Sequence, residues 1–115
     1  PDTYFCAVED SYSFTGDSLT VAAGVLRHEV LEELTAGDRV ALWETASDQS
    51  VEPEDGLIGV AVVMPGADCT GVLNGHSVAL KTIAPGEKLR YSFGSCWSKA
   101  GVPDAPAWFA LVEAE

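Results

Sequence analysis

Apolar and polar positions alternate with period two along most of this chain, in short runs rich in β-branched residues, and such runs predict strands. Ser18–Val25 (SLTVAAGV) follows the turn signal Thr15-Gly16-Asp17, and Val30–Leu34 is a shorter candidate. Arg39–Thr45 (RVALWET) follows Ala36-Gly37-Asp38. Leu57–Met64 (LIGVAVVM) opens after Asp55-Gly56 and is apolar throughout, as expected of a strand covered on both faces. Cys69–Leu73 is a further candidate. Asn74-Gly75 is a two-residue hairpin signal leading into Ser77–Ile83. Ala84-Pro85-Gly86-Glu87 is a turn before Lys88–Gly94, where Leu89, Tyr91 and Phe93 share one face and Lys88, Arg90 and Ser92 the other. The tail changes period. Asp104 can cap a helix with Pro106 in its first turn, and Trp108, Leu111 and Val112 in Ala107–Ala114 follow helical spacing. The prediction is a mainly β protein: one domain over residues 1–115, an antiparallel β-sandwich with a short C-terminal α-helix.

Composition narrows the partners. The 115 residues hold 47% apolar and 21% charged residues, a globular balance. No apolar run approaches the roughly 20 residues of a membrane-spanning helix, so no membrane insertion is expected. The net charge is −12, with 13 acids and two bases in residues 1–59. A nucleic-acid partner is excluded, because a phosphate surface needs clustered Lys and Arg. The acidic half reads as a solvated surface or, less simply, as a cation-attracting one. Asp48, Glu52, Glu54 and Asp55 lack the alternation of a calcium loop, and a solvated loop is the expectation there. The chain opens at Pro1 with no signal peptide and no Met. The expectation is a processed form or a piece of a longer protein.

Candidate chemistry is sparse. Phosphate-loop, nucleophile-elbow and zinc-protease motifs are absent, and no cofactor is expected. Cys6, Cys69 and Cys96 have no metal-binding spacing, and either one disulfide with a free thiol or three buried thiols fits them. His28 and His76 both fall near predicted strand ends, where an imidazole can act as general base or acid; the plainer reading is a hydrogen-bonded structural histidine. A zinc site with Glu29 or Glu44 as third ligand has no spacing that demands it, so no metal is assigned. Trp43 and Glu44, adjacent on a strand, must face opposite sides, so only one can line a cleft. Trp97 lies where a strand runs into a loop. It is either a packing residue or a platform for the apolar face of a sugar ring. Trp108 is expected in the core. Arg27, Arg90 and Lys99 are half of the six basic residues, and a guanidinium fork suits a uronate carboxylate, although pairing with the abundant acids is the plainer use.

The order LTVAAGVLRHE, ALWE, DGLIGVAVVMP, HSVALKTIAPGEKLRYSFGSCWSKAG and PDAPAWFALV resembles the C-terminal part of a bacterial family of domains of unknown function, the one numbered forty-eight sixty-one. The resemblance covers roughly residues 18–112, most specifically through APGEKLRYSFG and the following Trp and KAG. It implies a galactose-mutarotase-like supersandwich from polysaccharide-utilisation loci, periplasmic or secreted, acting near uronate-containing glycans. The chain would then be about the last third of such a supersandwich, or a shortened relative. The resemblance places His28, His76, Trp97 and Lys99 in matching stretches.

The resulting expectation is a carbohydrate-binding or carbohydrate-processing domain. Trp97 would stack on a ring, Arg27 or Lys99 would pair with a carboxylate, and His28 or His76 would serve as base if a chemical step occurs. Whether it is an enzyme is left open. Two alternatives come from another class: an Ig-like structural or interaction module, and a fragment that completes the sheet of another chain or of a missing N-terminal part. An exposed apolar edge along Leu57–Met64 would favour the second.

Overall fold

The computed structural model describes residues 5–11, 15–27, 30–45, 56–98 and 101–115. These form β1 (Phe5–Ser11), β2 (Leu19–Leu26), β3 (Val30–Thr35), β4 (Arg39–Thr45), β5 (Leu57–Val63), β6 (Cys69–Leu73), β7 (His76–Ile83), β8 (Lys88–Trp97) and α1 (Ala105–Ala114). The strand ends follow local turn chemistry. Asn74 and Gly75 both take positive φ, 51° and 78°, the conformation that closes a two-residue hairpin without splaying its strands. β1 is an addition to the elements expected from the sequence, and β8 continues beyond Gly94 to Trp97.

The strands form two antiparallel sheets, ordered β1-β8-β5-β4-β3 and β2-β7-β6. The three-stranded sheet lies on one face of the larger sheet, and α1 lies on the other. Alternation along the strands feeds two cores. Val40, Leu42, Val62, Met64 and Leu89 point between the sheets and meet Val25, Ala79 and Ile83. Ala41, Trp43, Ala61, Val63 and Cys96 point to the helix side and meet Val102, Ala105, Trp108 and Val112. β5 is thus sealed on both faces, as its unbroken apolar run predicts.

On the helix side the sheet is paved with small residues so that two aromatic rings can lie flat on it. Phe5 and Trp108 stack with centroids 5.6 Å apart and planes within 9°. A Cβ at Gly59 would lie 2.6 Å from the Trp108 ring, and one at Gly94 would lie 2.5 Å from Phe5. Both glycines are therefore required by close approach rather than by backbone dihedral. The helix is fixed at both ends. Asp104 accepts a hydrogen bond from the Ala107 amide at 2.9 Å, with Pro106 in the first turn. The last turn has no basic residue of its own. Arg39 of β4 supplies the charge: its Nη1 donates to the carbonyls of Val112 (2.6 Å), Glu113 (3.3 Å) and Glu115 (3.4 Å). Its Nε and Nη2 grip both oxygens of Asp38 at 2.9 and 3.0 Å.

The two sheets differ in width, and this positions the candidate site. β2 packs on β5, and β7 on β4 and β5. Thr70 of β6 donates to the Ala36 carbonyl at the β3–β4 turn, 2.5 Å away. Three strands therefore cover β3, β4 and β5. Among the described residues the small sheet covers β8 only at its start, where Leu89 joins the core between the sheets and Tyr91 packs against it. Because aligned sheets cross at an angle, the cover reaches the start of β8 and falls away along it. Leu89 is 1% exposed, Tyr91 is half-buried, Phe93 is 44% exposed and Trp97 is 43% exposed. The apolar edge considered along Leu57–Met64 does not exist, since β5 is the middle strand of its sheet. The uncharged edge belongs to β2.

Candidate functional site

Register brings several strand ends to one end of the sandwich. Val30, Glu44, Ile58 and Trp97 form one row across the larger sheet. In the smaller sheet Leu26, the residue before Arg27, pairs with His76, which pairs with Leu73. Only residues 27–29 separate β2 from β3, so the two rows lie at the same end of the molecule.

The side chains at that end nevertheless serve three different surfaces. Trp97 lies on the face of the larger sheet that looks toward the small one, beyond its cover. Arg27 bridges the sheets: Nη1 donates to Ser77 Oγ at 2.8 Å, Nη2 meets Glu33 Oε2 at 2.7 Å, and its amide donates to the Gly75 carbonyl at 2.9 Å. The fork offered by sequence to a sugar carboxylate thus holds Glu33. His76 lies on the outer face of the small sheet, because its neighbours Ser77 and Ala79 are buried and Ala79 belongs to the core between the sheets. Its Nδ1 is 3.0 Å from the Asn74 carbonyl, and the exposed Leu26 and Leu73 flank it in register. Indole and imidazole therefore do not meet in one cleft. His28 and Lys99 lie outside the described residues, as do Glu29 and the acidic positions 48, 52, 54 and 55.

Trp43 and Glu44 do face opposite sides, but both are closed: Trp43 packs under the helix at 2% exposure, and Glu44 is 0% exposed between the sheets. Among the described residues no three His, Cys, Asp or Glu side chains gather as a metal site. Each described basic residue has an acidic partner. Besides Arg27 and Glu33, these are Arg39 with Asp38, Lys81 with Glu87 at 3.9 Å, and Lys88 and Arg90 with Glu9. Arg90 and then Lys88 hold the Glu9 carboxyl below the usual range, and Arg39 does the same for Asp38.

The three cysteines are free thiols. Cys96 lies beneath Trp108, and burial pushes its pKa up to about 11, so it is inert as a nucleophile. Cys6 and Cys69 are exposed; Cys6 pairs in register with Phe93 on the uncovered face. A shallow cavity of about 220 Å³, lined by Leu34, Ala36, Arg39 and Glu113, lies at the other end of β4 and touches none of the candidate residues.

Sequence reasoning missed Phe93 as a surface residue. Leu89, Tyr91 and Phe93 form one apolar stripe, and a stripe does not record where its cover stops. Phe93 and Trp97, with the intervening Ser95, make a shelf of exposed aromatic surface on the later part of β8, bordered by the half-buried Tyr91.

No curated protein and no solved structure matches the chain. The model of one family, described as a domain of unknown function (DUF4861), matches residues 1–115, and the chain belongs to that family.

Proposed function

We propose that this domain binds carbohydrate, as part of a bacterial glycan-utilisation system acting outside the cytoplasm. One observation carries the reading: Trp97 presents its indole, 43% exposed, on the uncovered end of β8. The flat π-face of an indole receives the C–H groups of a sugar ring, and hydroxyl and backbone groups nearby hydrogen-bond its oxygens. Such a shelf is open rather than enclosed, so affinity should be modest, with Kd on the order of 1 mM. The committed cations bear on the ligand. A uronate carboxylate finds no unengaged basic partner among the described residues, which leaves Lys99 as its candidate and makes neutral oligosaccharides the simpler ligand. Binding is also the simpler reading over turnover, because His76 faces another surface.

Tryptophan fluorescence tests this directly, since Trp43 and Trp108 are 2% and 0% exposed and the change must come from Trp97. Titration with neutral and uronate oligosaccharides should shift the emission, and Trp97→Ala should abolish the effect and the binding. Undiminished binding by Trp97→Ala would end the proposal. The interaction-module reading is favoured by a different observation, the uncovered width of the larger sheet.

A further inference from the structure

The edge of β2 and the uncovered strip beside it form one surface, and we infer that it accepts an extended peptide segment, one or two strands wide, from another polypeptide. The backbone defines the edge. Arg27 N donates to Gly75 O, which fixes the alternation along the β2–β7 pair. Odd residues from Leu19 to Val25 therefore turn their amides to β7. Thr20, Ala22, Gly24 and Leu26 turn theirs outward, where no described strand receives them.

Natural edges are protected by charge, proline, bulges or shortness. The other edges show such devices. β1 carries Glu9 and Asp10, β3 carries Glu32, Glu33 and a register shift, and β6 has only five residues. β2 runs eight residues, LTVAAGVL, with no charge in a chain of net charge −12. Beside it, β8 and β1 extend the floor by two strand widths, about 10 Å. Phe93 and Val8 share the face toward which side chains of an added strand would point, and Tyr91, packed against the core between the sheets, borders it. An added strand would continue an existing sheet over an existing apolar floor, so both its backbone and one row of its side chains would be satisfied.

The same geometry selects a slim occupant. Two copies joined antiparallel through β2 would be related by an axis perpendicular to the small sheet. Each copy's larger sheet would then fall on the same side as the other's, in the space that β8 and β1 already fill. A single strand or a hairpin has no second layer and fits. Neighbouring acids disfavour an acidic segment, so the matching chemistry is a neutral or basic strand with alternate apolar side chains. This inference does not rest on the sugar reading. It uses the backbone of β2 with Phe93 and Val8, whereas the sugar uses the indole of Trp97.

The test is selection of random 16-residue peptides displayed on phage against the full chain, with synthetic copies of the enriched peptides then measured by fluorescence anisotropy. Enriched peptides should alternate apolar with neutral or basic residues. Ala22→Pro, which removes one outward amide, and Phe93→Ser should each weaken binding at least tenfold, while Leu73→Ser on the far face should not. N-methylating alternate amides of the peptide should abolish binding, a control independent of how well any variant folds. No enrichment over an unrelated protein of equal charge, or binding unmoved by Phe93→Ser and by N-methylation, overturns the inference. A dimer in analytical ultracentrifugation that Ala22→Pro dissociates would assign the edge to a second copy and overturn it too.

Discussion

Strand β8 has two faces that alternate residue by residue and meet opposite surroundings. Gly94 and Cys96 turn to the helix side and are sealed beneath Phe5 and Trp108. Phe93, Ser95 and Trp97 turn to the other side, where the small sheet does not reach, and all three are exposed. Side-chain size is inverted with respect to burial: Gly94 and Cys96 are covered, and Phe93 and Trp97 are not. Burial here is decided by what the neighbouring layer brings. A helix that carries its own tryptophan requires a flat floor, so the sheet beneath it has small residues. A floor with large apolar side chains and no layer above it is a surface for something else.

Four measurements would break or sharpen that contrast. Trp108→Ala should have the largest effect, about 3–5 kcal/mol of stability in urea unfolding, because it empties the sealed face around a ring that touches Gly59 and Phe5. A loss below about 1 kcal/mol would mean the helix side is not a packed core. Thiol labelling compares the faces on neighbouring strands. With a pKa of about 11, Cys96 is thiolate to only about one part in a thousand at pH 8, and it is buried as well. Iodoacetamide with mass spectrometry should therefore modify the exposed Cys6 and Cys69 well before the buried Cys96. Equal rates would place Cys96 at a surface.

Arg39→Met releases the end of the helix and should cost about 1–2 kcal/mol, the low end for charge-assisted bonds because the pair is partly solvated. It should also flatten the acid side of the stability profile. The Asp38 carboxyl is held below its unfolded value by Arg39, so its contribution is complete above the usual carboxylate range and is lost as pH falls through the depressed value. Urea midpoints measured against pH in both proteins check this; a parallel shift with no change of slope would remove Asp38 from the account. The smallest effect belongs to the open face. Phe93→Ser should change stability by about 1 kcal/mol or less, since nearly half the ring is already in water. A loss like that of Trp108→Ala would show that the shelf is interior.

The contrast also marks where sequence was sufficient. Arg39–Thr45 and Cys69–Leu73 were bounded correctly, because turn residues flank each run, and Asp104 with Pro106 located the helix start to within two residues. The placement of Trp108 in the core and of Trp43 and Glu44 on opposite faces followed from periodicity alone. β1 escaped because Glu9 and Asp10 break the apolar pattern of FCAVEDS, and its partners on β8 lie 77 to 89 residues away in sequence. The candidate site was legible only as residue types. Alternation placed Leu89, Tyr91 and Phe93 on one face, but burial along that face depends on the width and crossing angle of the other sheet, which no local pattern encodes. His76 and Trp97 were rightly put at strand ends; that they look out of different surfaces is set by strand parity in two separate sheets.

The pairing order has a consequence for how the chain is made. Among the described residues the first strand hydrogen-bonds only to the last, and the second only to the seventh. At a synthesis rate of 5–20 residues per second, β1 waits about 4–16 s before its partner exists. During that interval β1 and β2 leave the ribosome as unpaired ribbons, one acidic and one without charge. The acidic ribbon repels its copies, and the uncharged one is the segment a nascent-chain chaperone would most need to cover.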